Sequence, residues 1–161
     1  MGSQAVAVRA LREADLAWAE ELLDAALGGR RQARRGELVD VLDLPGLVAE
    51  RDGVRVGLLT YRPEHDGAEL AVMAAGARHA GVGTALLETL TRELAGRGRL
   101  WLVTTNDNLE ALRFYQRRGF VLAALRAGAV AEARSDLKPS IPAEGAFGIP
   151  LRDELELELS L

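Results

Sequence analysis

Residues 77–87 read ARHAGVGTALL, so Gly81 and Gly83 flank a single valine just ahead of a strongly helical run. A glycine inside a helix costs about 0.5–1 kcal/mol relative to alanine, so two of them at a helix start ask for a compensating role. The preceding GAELAVMAA (67–75) reads as a strand, and Val82, Leu86, Leu90 and Leu94 form an i, i+4 stripe after the turn. The first N–H groups of a helix have no partner within it, and the aligned peptide dipoles leave about half a positive charge there. Glycines keep side chains away from those groups, so the turn reads as a cradle for an anion such as a phosphate. Arg78 and His79 add charge at its rim. Glycine turns before helices are also common without any ligand, and both readings stand at this point. Two better-known cradles do not fit. A P-loop needs a lysine after the second glycine, where Thr84 stands, and a dinucleotide fingerprint needs a third glycine, where Leu86 stands.

Outward from this turn, residues 5–11 (AVAVRAL) read as a first strand. Residues 13–29 show helical spacing, with Leu16, Ala19, Leu22, Leu23, Ala26 and Leu27 on one face, Asp15 as cap and Gly28 as the stop. RRQARRGELVDVLDLPG (30–46) is basic, then amphipathic, and predicts a second short helix ending before Pro45. Asp52-Gly53 joins two apolar runs, the strongest short signal for a hairpin. Gly96 and Gly98 end the helix after the glycine turn; RLWLVTT (99–105) is a buried strand; NDNLEALRFYQRRGF (106–120) is a helix stopped by Gly119. FVLAALRA (120–127) and the alternating ELELELSL (154–161) are the last strands. The stretch between them holds three of the five prolines and one short helical piece near 129–137. Connections this long inside a compact domain are usually functional or flexible. The order is β-α-α-β-β-β-α-β-α-β-β: an α/β (α+β) fold with a mixed, mostly antiparallel seven-stranded sheet flanked by about four helices, in one domain over 1–161.

Bulk properties narrow the function. With 161 residues, 48% apolar and 27% charged, the chain has an ordinary soluble composition and can bury a core without staples. Its net charge of −4 argues against general nucleic-acid binding. Zero cysteines exclude disulfides, zinc–thiolate sites and thiol catalysis, and fit a reducing cytoplasm. The N-terminus has no apolar run of signal-peptide length, and no stretch approaches the ~20 apolar residues of a membrane span. The expectation is a cytoplasmic protein with no metal, nucleic-acid or membrane partner.

Two motifs decide the family. Arg78-x-x-Gly81-x-Gly83 is followed about 25 residues on by Asn108, Ala111, Phe114, Tyr115, Gly119 and Phe120 in the pattern Asn-x-x-Ala-x-x-Phe-Tyr-x-x-x-Gly-Phe. Together they resemble the GNAT superfamily of acyl-CoA-dependent N-acyltransferases, and the element order agrees over the whole chain. One departure is present. Members often carry Val-x-Pro-x-x-Arg before the turn; here the proline is missing and Val72 stands six residues before Arg78 rather than five. Either Met73 takes the valine's place or the strand end is bulged.

The resemblance implies roles. The main chain near Gly81, Val82, Gly83 and Thr84, with His79 and Ala80 in the same loop, binds the pyrophosphate of coenzyme A. The backbone of Val72, Met73 and Ala74 pairs the peptide-like pantetheine arm, as an added strand would. Asn108 bonds the arm or shapes its channel, with Ala111 on the same helix; a helix cap is an equal reading for Asn108, and Asn106 and Asp107 share that ambiguity. Tyr115 protonates the departing thiolate; its alternative is a partly buried core aromatic. Glu69, at the start of its strand, matches the acidic base of some relatives, and its alternative is a solvated carboxylate. An alkylamine of pKa ~10.4 is neutral in only about one part in 10³ at neutral pH, so a base, a water chain or a weaker amine is needed.

For the acceptor, the resemblance points to the first two helices and the last connection. Arg30, Arg31, Arg34 and Arg35 fall within six residues, and helical spacing stacks them in two i, i+4 pairs. They read as a solvated basic face, or as a site for an acidic acceptor or the cofactor's 3′-phosphate. KPSIPAEGAFGIPLRDE (138–154) is a stiff excursion that walls the acceptor pocket, covers sheet or meets a second subunit to form a homodimer. The expected activity is acetyl transfer from acetyl-CoA to a primary amine of a small molecule or protein, by direct attack through a tetrahedral intermediate. The alternatives are a non-catalytic acyl-CoA-binding sensor or scaffold, and some other nucleotide-phosphate-binding domain.

Overall fold

The computed structural model describes residues 5–75 and 81–161. In chain order the elements are β1 (Ala7–Ala10), α1 (Leu16–Leu27), β2 (Arg31–Arg34), β3 (Glu37–Asp40), β4 (Gly46–Arg51), β5 (Val54–Glu64), β6 (Gly67–Ala75), α2 (Val82–Glu93), β7 (Arg99–Thr105), α3 (Leu109–Gln116), β8 (Val121–Arg126), α4 (Ala129–Asp136) and β9 (Glu154–Ser160). They form two compact units: the described residues up to Arg30, from Asp40 to Gly98, and Leu161; and Arg31–Val39 with Arg99–Ser160. The seven main strands divide between them, four in the first and three in the second.

In the first unit β1, β4, β5 and β6 run antiparallel in that order. Asp52 and Gly53 both have positive φ, 55° and 74°, as the tight turn between β4 and β5 requires. Val82, Leu86, Leu90 and Leu94 are all buried, so the predicted stripe is the core face of α2. It packs on the face of β5 that carries Gly57, where an added Cβ would lie 2.4 Å from Val82 Cγ1. The β5–β6 register steps from Thr60↔Val72 to Tyr61↔Leu70, leaving Ala71 as an extra, bulged residue. The strand is thus bulged before Val72; the residues between Ala75 and Gly81 lie outside the described ones.

Asp15 stands at the N-cap position of α1, as expected, but its side chain makes no cap bond to the helix. Its carboxylate, 1% exposed, accepts the Arg12 N–H and closes the short turn Glu13–Asp15 ahead of the helix. It also takes two N–H groups of Arg9 and the Arg55 Nε, each at 2.8 Å. The Arg9 hydrogen bonds hold this carboxyl well below the usual carboxylate range.

In the second unit β7, β9 and β8 run antiparallel in that order. The helix expected over 30–44 is absent. Residues 31–40 form the hairpin β2–β3, and Val41–Asp43 is one 3₁₀ turn. Arg35 and Gly36 turn the chain with φ 49° and 76°, the same tight geometry as Asp52-Gly53. Alternation along β2 then separates the arginines instead of stacking them. Arg34 is buried, Arg31 is exposed, and Arg35 lies over the Trp101 ring at 4.9 Å while its N–H donates to Glu154 Oε2 at 3.0 Å. Arg30 pairs with Asp40 at 2.8 Å. The short helical stretch expected near 129–137 is present as α4, and the described residues hold four α-helices.

Candidate active site

The glycine turn answers the question its sequence poses. Gly81 is the N-cap of α2 with φ 83°, a left-handed conformation that glycine adopts without strain, and its carbonyl accepts the Ala85 N–H. Among the described residues no atom lies within 4 Å of where its Cβ would be. Val82, between the two glycines, is fully buried and anchors the helix start in the core. Gly83 and Thr84 are half-buried in the first turn. The start of α2 is therefore fixed from behind by Val82. Arg78, His79 and Ala80, expected at the rim, lie outside the described residues.

Val72, Met73 and Ala74 pair through one edge of β6 with Thr60, Leu59 and Leu58. Val72 and Ala74 are buried and Met73 half-buried, so the main chain here is held rigidly. Glu69 stands on the same strand and is fully buried. Its Oε2 accepts Arg62 Nη2 at 2.6 Å and Nε at 3.1 Å. In place of a solvated strand-end carboxylate, Glu69 is a fully buried carboxylate paired with the half-buried Arg62. Sequence reasoning missed Arg62, although a hairpin turning at His65-Asp66 places positions 62 and 69 opposite each other.

On the second unit the loop before α3 sorts its polar residues. Asn108 is the N-cap: its Oδ1 accepts the Ala111 N–H at 3.2 Å, and its Nδ2 donates to Thr104 Oγ1 at 3.1 Å. Asn106 binds the excursion, donating to Pro150 O and accepting the Arg152 and Asp153 N–H groups. Asp107 accepts the Thr105 hydroxyl and the Ala146 N–H. Gly145 is obligatory beside it, since a Cβ there would fall 2.1 Å from Asp107 Oδ2. Tyr115 is buried, edge-on to Phe114 and Phe120 at 5.1 and 5.2 Å between ring centres. Burial pushes its phenol above the ordinary value of 10, so it stays protonated at any physiological pH.

Comparison with known proteins bears on this arrangement. The model of the acetyltransferase (GNAT) family matches residues 10–120. The chain belongs to the GNAT family. It is an acyltransferase of that family, and the two motifs around Gly81 and Asn108 fall inside the matched region. The uncharacterized protein YxbD of Bacillus subtilis (strain 168) is 42% identical over 120 residues, covering 73% of this chain and 74% of that one. Among solved structures, the acetyltransferase shares its fold with the IAA acetyltransferase from Bacillus cereus ATCC 14579 (TM-score 0.76, 20% identity, 98% and 100% of the two chains). It shares it equally with a GNAT family acetyltransferase from Elizabethkingia anophelis with acetyl-CoA bound (TM-score 0.76, 16% identity, 97% and 98%). Among the described residues no helix is long and apolar enough to cross a membrane.

Proposed function

We propose that this GNAT protein transfers the acetyl group of acetyl-CoA to a primary amine of a small molecule or a protein, in the cytoplasm. The observation that carries the reading is the left-handed glycine N-cap of α2 at Gly81, with Gly83 in the first turn, within a chain of this family. The N–H groups of Val82, Gly83 and Thr84 take the pyrophosphate, with Arg78, His79 and Ala80 in the same loop. The main chain of Val72, Met73 and Ala74 takes the pantetheine arm by strand-like pairing. A bound acetyl-CoA of the same kind in the Elizabethkingia relative supports this choice of donor.

In this reading the neutral amine attacks the thioester carbonyl directly. The tetrahedral oxyanion is held by a main-chain N–H of β6, and collapse expels the thiolate. Tyr115 returns a proton to the sulfur: its buried phenol is protonated and has a proton to give. Glu69 serves as base only where the arriving amine competes with Arg62 for its carboxylate; otherwise water carries the proton away. Asn108 and Ala111 support the arm's channel through the start of α3, and Asn106 acts through the excursion it ties down. A homodimer belongs to the same proposal, supported by exposed Val121, Leu122 and Leu125 on the outermost strand β8.

The test is acetyl-CoA turnover against a panel of amines, peptides and protein N-termini, read by thiol release. Turnover with at least one acceptor supports transfer. Tight coenzyme A binding with no turnover across the panel favours the non-catalytic sensor instead.

A further inference from the structure

Thr60 lies on β5 and is fully buried. Among the described residues its Oγ1 has no hydrogen-bond partner. A buried hydroxyl in this state bears the cost of leaving water with no bond to offset it, and a valine has the same shape without that cost. The methyl is the part that packs. A Cβ on Gly46, across the ladder on β4, would lie 3.0 Å from Thr60 Cγ2 and 3.2 Å from Leu11 Cδ2. Apolar fit therefore explains the methyl and leaves the hydroxyl unexplained. A buried polar atom of this kind calls for a water or a part in the chemistry.

Its neighbours supply both. The extra residue of the β5–β6 bulge, Ala71, lies on β6, so β5 alternates regularly and Thr60 and Arg62 point to the same side of the sheet. Arg62 donates to Glu69 Oε2 from Nη2 and Nε, which puts the Glu69 carboxylate on that side too. Thr60 pairs with Val72 and Arg62 with Glu69, so Thr60 and Glu69 are diagonal partners across the ladder. Diagonal partners stand about 7–8 Å apart, too far for a direct bond and within the span of one bridging water. An ionised carboxylate has lone pairs for about four hydrogen bonds, so one that binds Arg62 also takes a water. Val72, opposite Thr60, begins the main chain that takes the pantetheine arm in the function proposed above. All these residues belong to the first unit.

We propose that the Thr60 hydroxyl holds a water that carries the acceptor's proton to Glu69, which makes Thr60 a positioning residue for transfer; the inference rests on the function proposed above. One water hydrogen goes to Thr60 Oγ1 and the other to Glu69, so the water's lone pair faces the acceptor. The ammonium of the acceptor gives one proton to the water, which passes one of its own to the carboxylate. Arg62 keeps its place on Oε2 throughout. The neutral nitrogen then attacks the thioester carbon, the C–N bond forms and the C–S bond breaks. The second proton leaves the nitrogen and ends on the sulfur as free coenzyme A thiol, and Glu69 returns the first to solvent.

The experiment compares Thr60→Val and Thr60→Ser with wild type, using acetyl-CoA and the amine that the panel above turns over fastest. Valine keeps the methyl that packs on Gly46 and loses the hydroxyl; serine does the reverse. Thr60→Val should bind coenzyme A with the KM for acetyl-CoA unchanged and kcat lowered at least about tenfold, short of the loss of a whole acid–base group. Thr60→Ser should recover most of that kcat. A packing role gives the opposite order, with valine active and serine impaired, and overturns the inference. A high-resolution crystal structure of the wild-type chain should show an ordered water bonded to both Thr60 Oγ1 and a Glu69 oxygen. No such water in an enzyme that turns over amines, or undiminished kcat in Thr60→Val, overturns this inference alone. Folded protein that binds coenzyme A and turns over no amine overturns the transfer reading and this inference with it.

Discussion

Val82 Cγ1 lies 2.4 Å from the point where a Cβ on Gly57 would stand. The helix that presents the bare N–H groups is seated on the sheet at the one β5 position that has no side chain. Gly57→Ala should therefore lift the start of α2, with an overpacking cost of about 1–3 kcal/mol. We expect a lower melting temperature and weaker coenzyme A binding by calorimetry. Val82→Ala in the same chain should restore part of both, because it removes the clashing methyl groups. A double-mutant cycle with no coupling would show that the contact does not set the helix position.

Tyr115→Phe should leave the fold and the KM for acetyl-CoA in place and lower kcat by roughly 10–100-fold, at or below the usual range for a general acid. Burial raises the phenol's folded pKa above its ordinary value of 10, so its contribution to stability is complete below pH 10. That contribution is lost as pH rises beyond 10, where the unfolded chain releases the proton and the folded chain does not. The wild-type chain should therefore lose stability above pH 10 more steeply than Tyr115→Phe. Equal slopes in alkaline denaturation would contradict a buried, protonated phenol.

Asp15 predicts the opposite limb. Its folded pKa is held below the unfolded value of about 3.9, so its stabilisation is present above that pH and is lost as pH falls further. Asp15→Asn leaves Arg9 and Arg55 facing a neutral amide and should cost about 3 kcal/mol at neutral pH. Denaturant midpoints at pH 7 and pH 3 should show that the difference between the two proteins narrows in acid.

The Asp107–Ala146 bond and the close approach of Gly145 hold the proline-containing excursion on the second unit. Gly145→Ala should break that bond and open the segment 140–150 to limited proteolysis, with little change in the melting of the rest. Unchanged cleavage would place the restraint elsewhere, on Asn106 and Arg134, which also bind this segment.

How far the sequence discloses this molecule depends on whether local signals carry the structure. The stripe of α2, the Asp52-Gly53 turn and the alternating last strand are periodic or backbone-driven, and all three are read directly. Residues 31–40 mislead because four arginines at i, i+4 spacing imitate a helix face. The turn that overrides them, Arg35-Gly36, lacks the asparagine or aspartate that usually marks a tight hairpin. At the site, the glycine turn and Tyr115 are legible as motifs. Which of Asn106, Asp107 and Asn108 caps α3 is not, because all three can cap a helix and only the excursion, about 40 residues further on, decides the assignment. Glu69 reads as a carboxylate at a strand end; its burial against Arg62 depends on strand register. Gly57 is an isolated glycine in a strand, a local signal for the close approach of another element, here Val82.

Isothermal titration of the folded chain with coenzyme A tests the central claim most directly, run beside a Gly81→Val/Gly83→Val variant whose folding is checked by circular dichroism. The account predicts saturable one-site uptake by the wild-type chain and its loss in the variant. No uptake by well-folded wild-type protein, or undiminished uptake by the variant, would contradict it.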